Sequence, residues 1–384
     1  MYKVCFVTTI SLTLKSFVLE LAKAMYKTGE FEIHFVCDYD AEFEKSLPEY
    51  IHYRPISMKR GVSLDGIKAV CEMIKYFKKE KFDIVQYSTP NASCYASLAA
   101  KIAGIPCRLY CQWGIVYVGF KGIKRKIFKL IEKIVCRNST MIEPDSFGNL
   151  HYCYKEGLYD ESKSCVIWNG SACGVDLKKF DISYKSEWNQ KIREKFSIPQ
   201  DAVVYVFVGR ITRDKGINEL FEATKKLMSQ KSDLYLLLVG NMDKSETVDC
   251  NLYQWSQDEA RVIYCGYTKE VQEYLSAGDV YVLPSYREGF GMAVIEAESM
   301  GVPIIVTDIP GVTDAMKKDC TGLVVKKGDS FALYEAMARL YTCKDMRIDM
   351  GKNAYEFASK NFEQSKLFES IIENRLMLLK QKKQ

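Results

Sequence analysis

Ser285-Tyr286-Arg287-Glu288-Gly289-Phe290-Gly291-Met292-Ala293-Val294-Ile295-Glu296-Ala297 follows the apolar run Val280-Tyr281-Val282-Leu283-Pro284 and continues as helix formers to Gly301. The run reads as a buried strand and the continuation as a helix, so the glycines between them make a strand-to-helix turn. A helix start offers backbone N–H donors and the positive end of the helix dipole, a ready anion site. Glu288 and Glu296 bracket that turn, and an anion needs no carboxylate. Carboxylates suit hydroxyls, so the ligand to which the stretch points carries both phosphate and sugar. Taken alone, the residues fit equally well an ordinary turn with glycines for geometry and glutamates for solubility.

About eighty residues upstream the strand Val203-Val204-Tyr205-Val206-Phe207-Val208 runs into Gly209-Arg210-Ile211-Thr212-Arg213-Asp214-Lys215-Gly216, a basic glycine-bounded loop before a helix over 217–228. An arginine can fork across two phosphate oxygens and a lysine adds a compact charge. Both suit a leaving group that gains negative charge as its bond breaks. By itself such a loop is also a common solvated turn.

Together the two loops resemble the donor signature of the retaining, GT-B-fold nucleotide-sugar glycosyltransferases of the family-four group, with Arg287-Glu288-Gly289-Phe290-Gly291-Met292-Ala293-Val294-Ile295-Glu296-Ala297 its most specific phrase. The resemblance implies an α/β chain of two Rossmann-like doubly wound domains facing a cleft. Residues 1–178 form the acceptor-side domain, 179–362 the donor domain, and 363–384 a helix returning to the first. It gives catalytic roles to Glu288, Arg210 and Lys215. Donor contacts come from these three and from Gly209, Gly266, Tyr267, Gly289, Phe290, Gly291, Met292, Ala293, Val294 and Glu296. Glu288 lies near the transferring sugar, Glu296 holds the ribose hydroxyls, and Gly266-Tyr267 lies beside the base. No metal or other cofactor is expected, because Arg210 and Lys215 take the role that a metal fills in other folds; the nucleotide sugar, most simply a UDP sugar, is a co-substrate.

The amino half is less specific. Strands are expected at 2–8, 32–37, 84–87 and 107–112, with helices at 17–27, 64–79 and 92–103, which alternate as in a parallel sheet. The loop Thr8-Thr9-Ile10-Ser11-Leu12-Thr13-Leu14-Lys15-Ser16 follows the first strand, where ligands of open α/β sheets collect, and it lacks a Gly-x-Gly-x-x-Gly fingerprint. Thr9, Ser11 and Lys15 are acceptor-side candidates. So are Gln112 and Gly114, although relatives often carry a histidine where Gln112-Trp113 stands. Asp38-Tyr39-Asp40 could hold a metal in the other large glycosyltransferase fold, but no third oxygen ligand is in view, and a solvated acidic loop is the simpler reading.

The chain has 384 residues, enough for two domains, and a formal charge of +5 from 54 basic and 49 acidic residues. That balance gives little support to nucleic-acid binding and is compatible with an anionic membrane surface. Fourteen cysteines scatter through apolar segments without a Cys-x-x-Cys pair, and three histidines leave zinc sites poorly supported. The cysteines therefore read as reduced residues of a cytosolic protein. Residues 121–137 carry seven lysines and arginines against one glutamate. Their apolar residues fall within roughly 160° of a helical wheel, which predicts either a sheet-packed stripe with a solvated basic face or a basic face that docks on anionic lipid.

Three functions follow. The first is sugar transfer to a lipid-linked or polysaccharide acceptor at the cytoplasmic membrane face. The second is a GT-B enzyme with a soluble substrate, including a sugar-nucleotide epimerase. The third is a silent partner subunit, which would have no reason to keep Arg210, Lys215, Glu288 and Glu296 together.

Overall fold

The computed structural model describes residues 1–58, 64–242 and 248–381. The chain forms two compact units, Met1–Cys173 with Ser365–Gln384, and Gly174–Gln364. The last three residues of the expected terminal segment lie outside the described residues.

The first unit has six parallel strands: β1 (Tyr2–Val7), β2 (Phe31–Cys37), β3 (Ile51–Pro55), β4 (Ile84–Tyr87), β5 (Cys107–Gln112) and β6 (Met141–Pro144), in the order β3-β2-β1-β4-β5-β6. The order reverses direction between β1 and β4, so their carboxyl ends flank the crevice where such sheets bind ligands. β3 and β6 lie outside the sequence reading because both are edge strands with mixed polarity. Glu143 in β6 is buried, and Arg375 of the Gln364–Gln381 helix grips it with Nη1 on Oε2 at 2.5 Å and Nη2 on Oε1 at 3.1 Å. Nη2 of Arg375 also reaches Gln86 Oε1 at 3.2 Å. This pairing ties the final helix to the first unit's sheet.

Three sequence expectations need correction here. Residues 8–16 do not remain a loop, because Ser11–Phe17 is helical and breaks at Val18 before a second helix, Leu19–Lys27. Leu14 is fully buried and anchors that short helix. The chain passes between units at Cys173/Gly174 and again at Gln364/Ser365, not near 178 and 362. Val175 pairs with the 362–364 segment, its N–H donating to Phe362 O and its carbonyl accepting from Gln364 N, so residues 174–178 fold with the second unit.

The third concerns the basic Gly122–Asn138 helix. Its apolar stripe is split: Phe128 and Val135 pack inward, while Ile123, Ile127, Leu130 and Ile134 are 77%, 52%, 60% and 47% exposed. At about 100° per residue these four fall within about 60° of arc. The inward face instead carries Glu132, Val135 and Cys136, all buried. Glu132 accepts from Tyr110 Oη at 2.8 Å and Gln112 Nε2 at 2.5 Å. Burial raises its carboxyl above the ordinary range, and those two donors partly offset the rise. The covered face thus combines Phe128, Val135 and Cys136 with these polar contacts, and the rest of the apolar stripe is left outside.

The second unit repeats the plan with β7 (Val203–Val208), β8 (Leu234–Val239), β9 (Val262–Gly266), β10 (Val280–Leu283), β11 (Ile304–Thr307) and β12 (Gly322–Val325), ordered β12-β11-β10-β7-β8-β9. Its strands are near-continuous apolar runs because helices cover both faces of a parallel sheet. Val204 to Phe207, Leu236 to Leu238 and Ile304 to Val306 are all fully buried. The direction of the order reverses between β7 and β10, the two strands that end in the basic loop and the glutamate loop.

Candidate active site

The tight turns that hold the two loops side by side depend on glycine. Gly216 has φ +74°, and a Cβ there would come within 2.0 Å of the Pro284 carbonyl oxygen at the end of β10. Gly240 is similar, since a Cβ would meet Gly209 O at 2.0 Å. Only glycine lets these backbones approach so closely. Tyr286 N donates to Asp214 O at 2.9 Å, a direct link between the loops.

That approach brings Lys215 and Glu288 into contact, with Nζ 2.5 Å from Oε1, and their side chains are only 20% and 12% exposed. Ser285 Oγ donates to the same carboxylate oxygen at 2.7 Å. Thr307 Oγ1 holds Ser285 O at 2.5 Å, bracing the loop from β11. Arg210 is 59% exposed and stands 3.8 Å from Asp214, which Arg287 approaches to 3.3 Å. Burial would raise the Asp214 carboxyl, but the Thr212 hydroxyl and then Arg287, Arg210 and Lys215 hold it below its ordinary value. The two loops thus present three cations, Arg210, Lys215 and Arg287, around two carboxylates.

Gly291 has φ +88° and precedes the Met292–Ser299 helix, which carries Glu296 in its second turn. Burial pushes the Glu296 carboxyl up to about 7, and Lys179 partly offsets this. Tyr281 of β10 lies within reach of both glutamates: burial first, then the charges of Glu288 and Glu296, push its phenol well above the ordinary range. Gly266 ends β9 and Tyr267 follows it, with Gly266 O accepting from Gly240 N at 2.9 Å and Tyr267 62% exposed. Gly289, Met292 and Ala293 are partly accessible, whereas Phe290 and Val294 are core residues, with Phe290 edge-on to Phe362 at 5.2 Å. The last two can offer a ligand only their main chain. Sequence reasoning gave no role to Ser285, Thr307, Asp214 or Tyr281, although Ser285 and Asp214 stand inside the two loops and Tyr281 in the strand before one of them.

The amino-half candidates separate. Thr9 lies at the β1–β4 reversal, its N–H and hydroxyl 3.1 and 2.8 Å from Thr89 Oγ1. Thr89 adopts φ +68°, a backbone rarely taken by a branched residue. Ser11 donates to Asp40 Oδ2 at 2.5 Å, while Lys15 is exposed and Gly114 has φ +99°. Gln112 is not presented to a ligand: it is fully buried, with Oε1 accepting from Tyr159 Oη at 2.7 Å and Nε2 donating to Glu132. The Asp-x-Asp carboxylates serve local structure. Asp40 caps the Ala41–Ser46 helix through Glu42 N and Phe43 N, and Asp38 accepts from Met58 N.

Two doubly wound units, one with a basic loop and a glutamate loop at its reversal point, define the GT-B class. The chain matches Anabaena HepE in complex with UDP and glucose with a TM-score of 0.78 at 17% identity, over 97% of this chain and 99% of that one. A glycosyltransferase from Rickettsia africae matches with a TM-score of 0.80 at 20% identity, over 99% of both chains. Residues 189–357 fit the glycosyl transferases group 1 family, and residues 3–146 fit glycosyl transferase 4-like proteins. The capsular polysaccharide biosynthesis glycosyltransferase CapM of Staphylococcus aureus is 30% identical over 342 residues, 88% of each chain. The chain therefore belongs to the glycosyl transferases group 1 family and is a glycosyltransferase. Also similar, at 27% identity over 84% of this chain and 83% of the other, is the Escherichia coli UDP-Gal:alpha-D-GlcNAc-diphosphoundecaprenol alpha-1,3-galactosyltransferase.

Proposed function

We propose that the enzyme transfers a hexose-type sugar from a UDP donor, with retention, to a lipid-linked acceptor in the synthesis of a surface polysaccharide. The observation that carries this reading is the Lys215–Glu288 contact at the β7–β10 reversal, with Arg210 beside it. Relatives named for capsule synthesis and for a UDP-Gal donor with a diphosphoundecaprenol acceptor supply the substrate classes.

In the step itself, the bond from the anomeric carbon to the β-phosphate oxygen breaks and its electron pair stays on the diphosphate. Arg210 and Lys215 stabilise that charge, a cationic clamp in the place of a metal ion. An acceptor hydroxyl oxygen forms the new bond. Its proton passes to the departing phosphate oxygen in a front-face displacement; in a double displacement an enzyme nucleophile first bonds the anomeric carbon as the diphosphate leaves, and the acceptor oxygen then displaces that nucleophile while a base takes the proton. Both routes use the same clamp for the departing diphosphate. Lys215 has three donors, so it can hold Glu288 and a phosphate oxygen together. Glu288 faces the transferring sugar and Glu296 accepts from the ribose hydroxyls. Gly266 and Tyr267 flank the base, and Gly209, Gly289 and Gly291 with Phe290, Met292, Ala293 and Val294 line the donor through main chain. Thr9, Ser11 and Lys15 remain on the acceptor side with Gly114.

The Gly122–Asn138 helix belongs to this reading as the membrane contact. Its exposed apolar ridge is flanked by Lys126, Lys133 and Arg137 on one side and by Lys124 on the other, the pattern of a helix lying in an anionic lipid interface. Among the described residues, no helix is long and apolar enough to cross a membrane. Replacing Ile127 and Leu130 by serine should abolish co-sedimentation with vesicles containing anionic phospholipid; undiminished binding would remove lipid as the occupant. For the reaction, a panel of UDP, GDP and dTDP sugars is scored by thermal shift and then by turnover with membrane-extracted acceptor. Turnover confined to soluble acceptors would favour the second reading, an enzyme with a soluble substrate.

A further inference from the structure

Two of the three histidines, on successive strands, meet in the first unit. β2 and β3 run parallel with His34 directly opposite His52, and Glu32 precedes His34 by two residues, which puts it on the same face of the sheet. The imidazoles stack with centroids 4.5 Å apart. His34 Nε2 is 2.8 Å from Glu32 Oε1, His52 Nε2 is 3.9 Å from the same oxygen, and one ligand atom from each residue lies within 4.8 Å of the others. A tetrahedral ion with ligand bonds of about 2.0–2.1 Å needs its ligand atoms about 3.3 Å apart, inside that range.

We propose that Glu32, His34 and His52 form a binding site for a divalent zinc-like ion that pins edge strand β3 to β2. The N,N,O donor set suits a borderline first-row ion better than magnesium or calcium, which take mostly oxygen. A fourth position is left for water.

The surroundings are those of a ligating histidine. The other ring nitrogen of His34, Nδ1, lies 2.7 Å from Tyr76 Oη, and Phe82 packs edge-on at 4.8 Å. In the ion-free chain Nε2–H donates to Glu32; an ion at Nε2 displaces that proton, and with the proton on Nδ1 instead His34 donates to the phenol oxygen, the outer-shell arrangement that fixes a metal-binding tautomer. The competing group is Lys3, whose Nζ is 3.2 Å from Glu32 but also 3.2 Å from Glu80, so it retains a carboxylate partner when an ion takes Glu32. His52 is 55% exposed at the side chain and gives the ion a way in. Three histidines spread over the chain gave zinc little support as a sequence pattern, because this site exists only through strand register. It holds whatever the donor or acceptor proves to be.

The test is calorimetric titration of the chelator-stripped full chain with Zn²⁺, paired with thermal unfolding. Exposed Cys71, Cys250 and Cys343 provide background thiols, so wild type is compared with His52→Ala and Glu32→Gln. The expected result is one Zn²⁺ equivalent that is at least tenfold weaker in each variant, with a Zn²⁺-induced rise in Tm that His52→Ala loses. Tyr76→Phe should weaken the ion by about 10–100-fold through the lost outer-shell contact. Because His52 is exposed, its replacement leaves the core intact, and circular dichroism confirms folding. Equal stoichiometry and affinity in wild type and His52→Ala, or no Zn²⁺-induced Tm shift in wild type, overturns the proposal.

Discussion

Glu296 gives the sharpest quantitative prediction, because its carboxyl must be ionised to accept hydrogen bonds from ribose hydroxyls and burial raises its pKa to about 7. In the free enzyme about one molecule in eleven then has the carboxylate at pH 6, against about ten in eleven at pH 8. The affinity for UDP should therefore fall about tenfold between pH 8 and pH 6, a change of about 1.4 kcal/mol. Glu296→Gln should bind more weakly at pH 8 by about 1–3 kcal/mol, since a neutral amide replaces a charged acceptor. UDP titrates in the same range, but its own ionisation affects both proteins and cancels in their ratio. Calorimetry of UDP binding at pH 6, 7 and 8 measures that ratio. Stability runs in the opposite sense. The folded-state pKa is raised above the unfolded one, so the stability this group contributes is present below the ordinary carboxylate pKa and is lost as pH rises toward 7. Glu296→Gln should thus gain in Tm relative to wild type from pH 5 to pH 8. A wild-type to variant affinity ratio that stays constant across pH 6 to 8 would refute the ribose assignment.

Lys215→Ala and Glu288→Ala should each lower turnover by about 10²–10³-fold while the fold persists, measured as UDP release by the purified proteins; near-normal release by either removes that residue from the mechanism. The two also touch each other, so the double variant should lose less than the product of the single losses. Gly216→Ala puts a Cβ 2.0 Å from Pro284 O at φ +74°, and it should lower stability by several kcal/mol or displace the Lys215 loop, read by urea unfolding together with UDP affinity. Arg375→Met leaves Glu143 buried and unpaired and should cost about 3–5 kcal/mol in urea unfolding; a loss below about 1 kcal/mol would mean that the final helix is held by its apolar contacts alone.

Much of the donor unit was legible because its signals are local. The helix Ile217–Met228 and strand Val203–Val208 begin and end where the apolar pattern and flanking glycines place them. The amino unit was less so. Edge strands β3 and β6 carry polar residues, and the Gly122–Asn138 helix shows an amphipathic pattern of which only one edge, Phe128 and Val135, packs inward. Periodicity states that a helix has two faces; it does not state which one the unit covers. Here the covered side holds Phe128, Val135 and Cys136 together with the buried Tyr110–Glu132–Gln112 contacts.

By itself the sequence determined the α/β class, the repeated alternation of strand and helix, and the two loops that carry Arg210, Lys215, Glu288 and Glu296. Each of these is written in a few adjacent residues, through apolar run length, glycine position and charge. Only the tertiary structure decided that Lys215 and Glu288, 73 residues apart, share one carboxylate oxygen with Ser285. It also decided that Gln112 is a core residue and that His34 and His52 stand side by side. These facts depend on strand order and register, which follow from how whole elements pack, and no short stretch of sequence contains them.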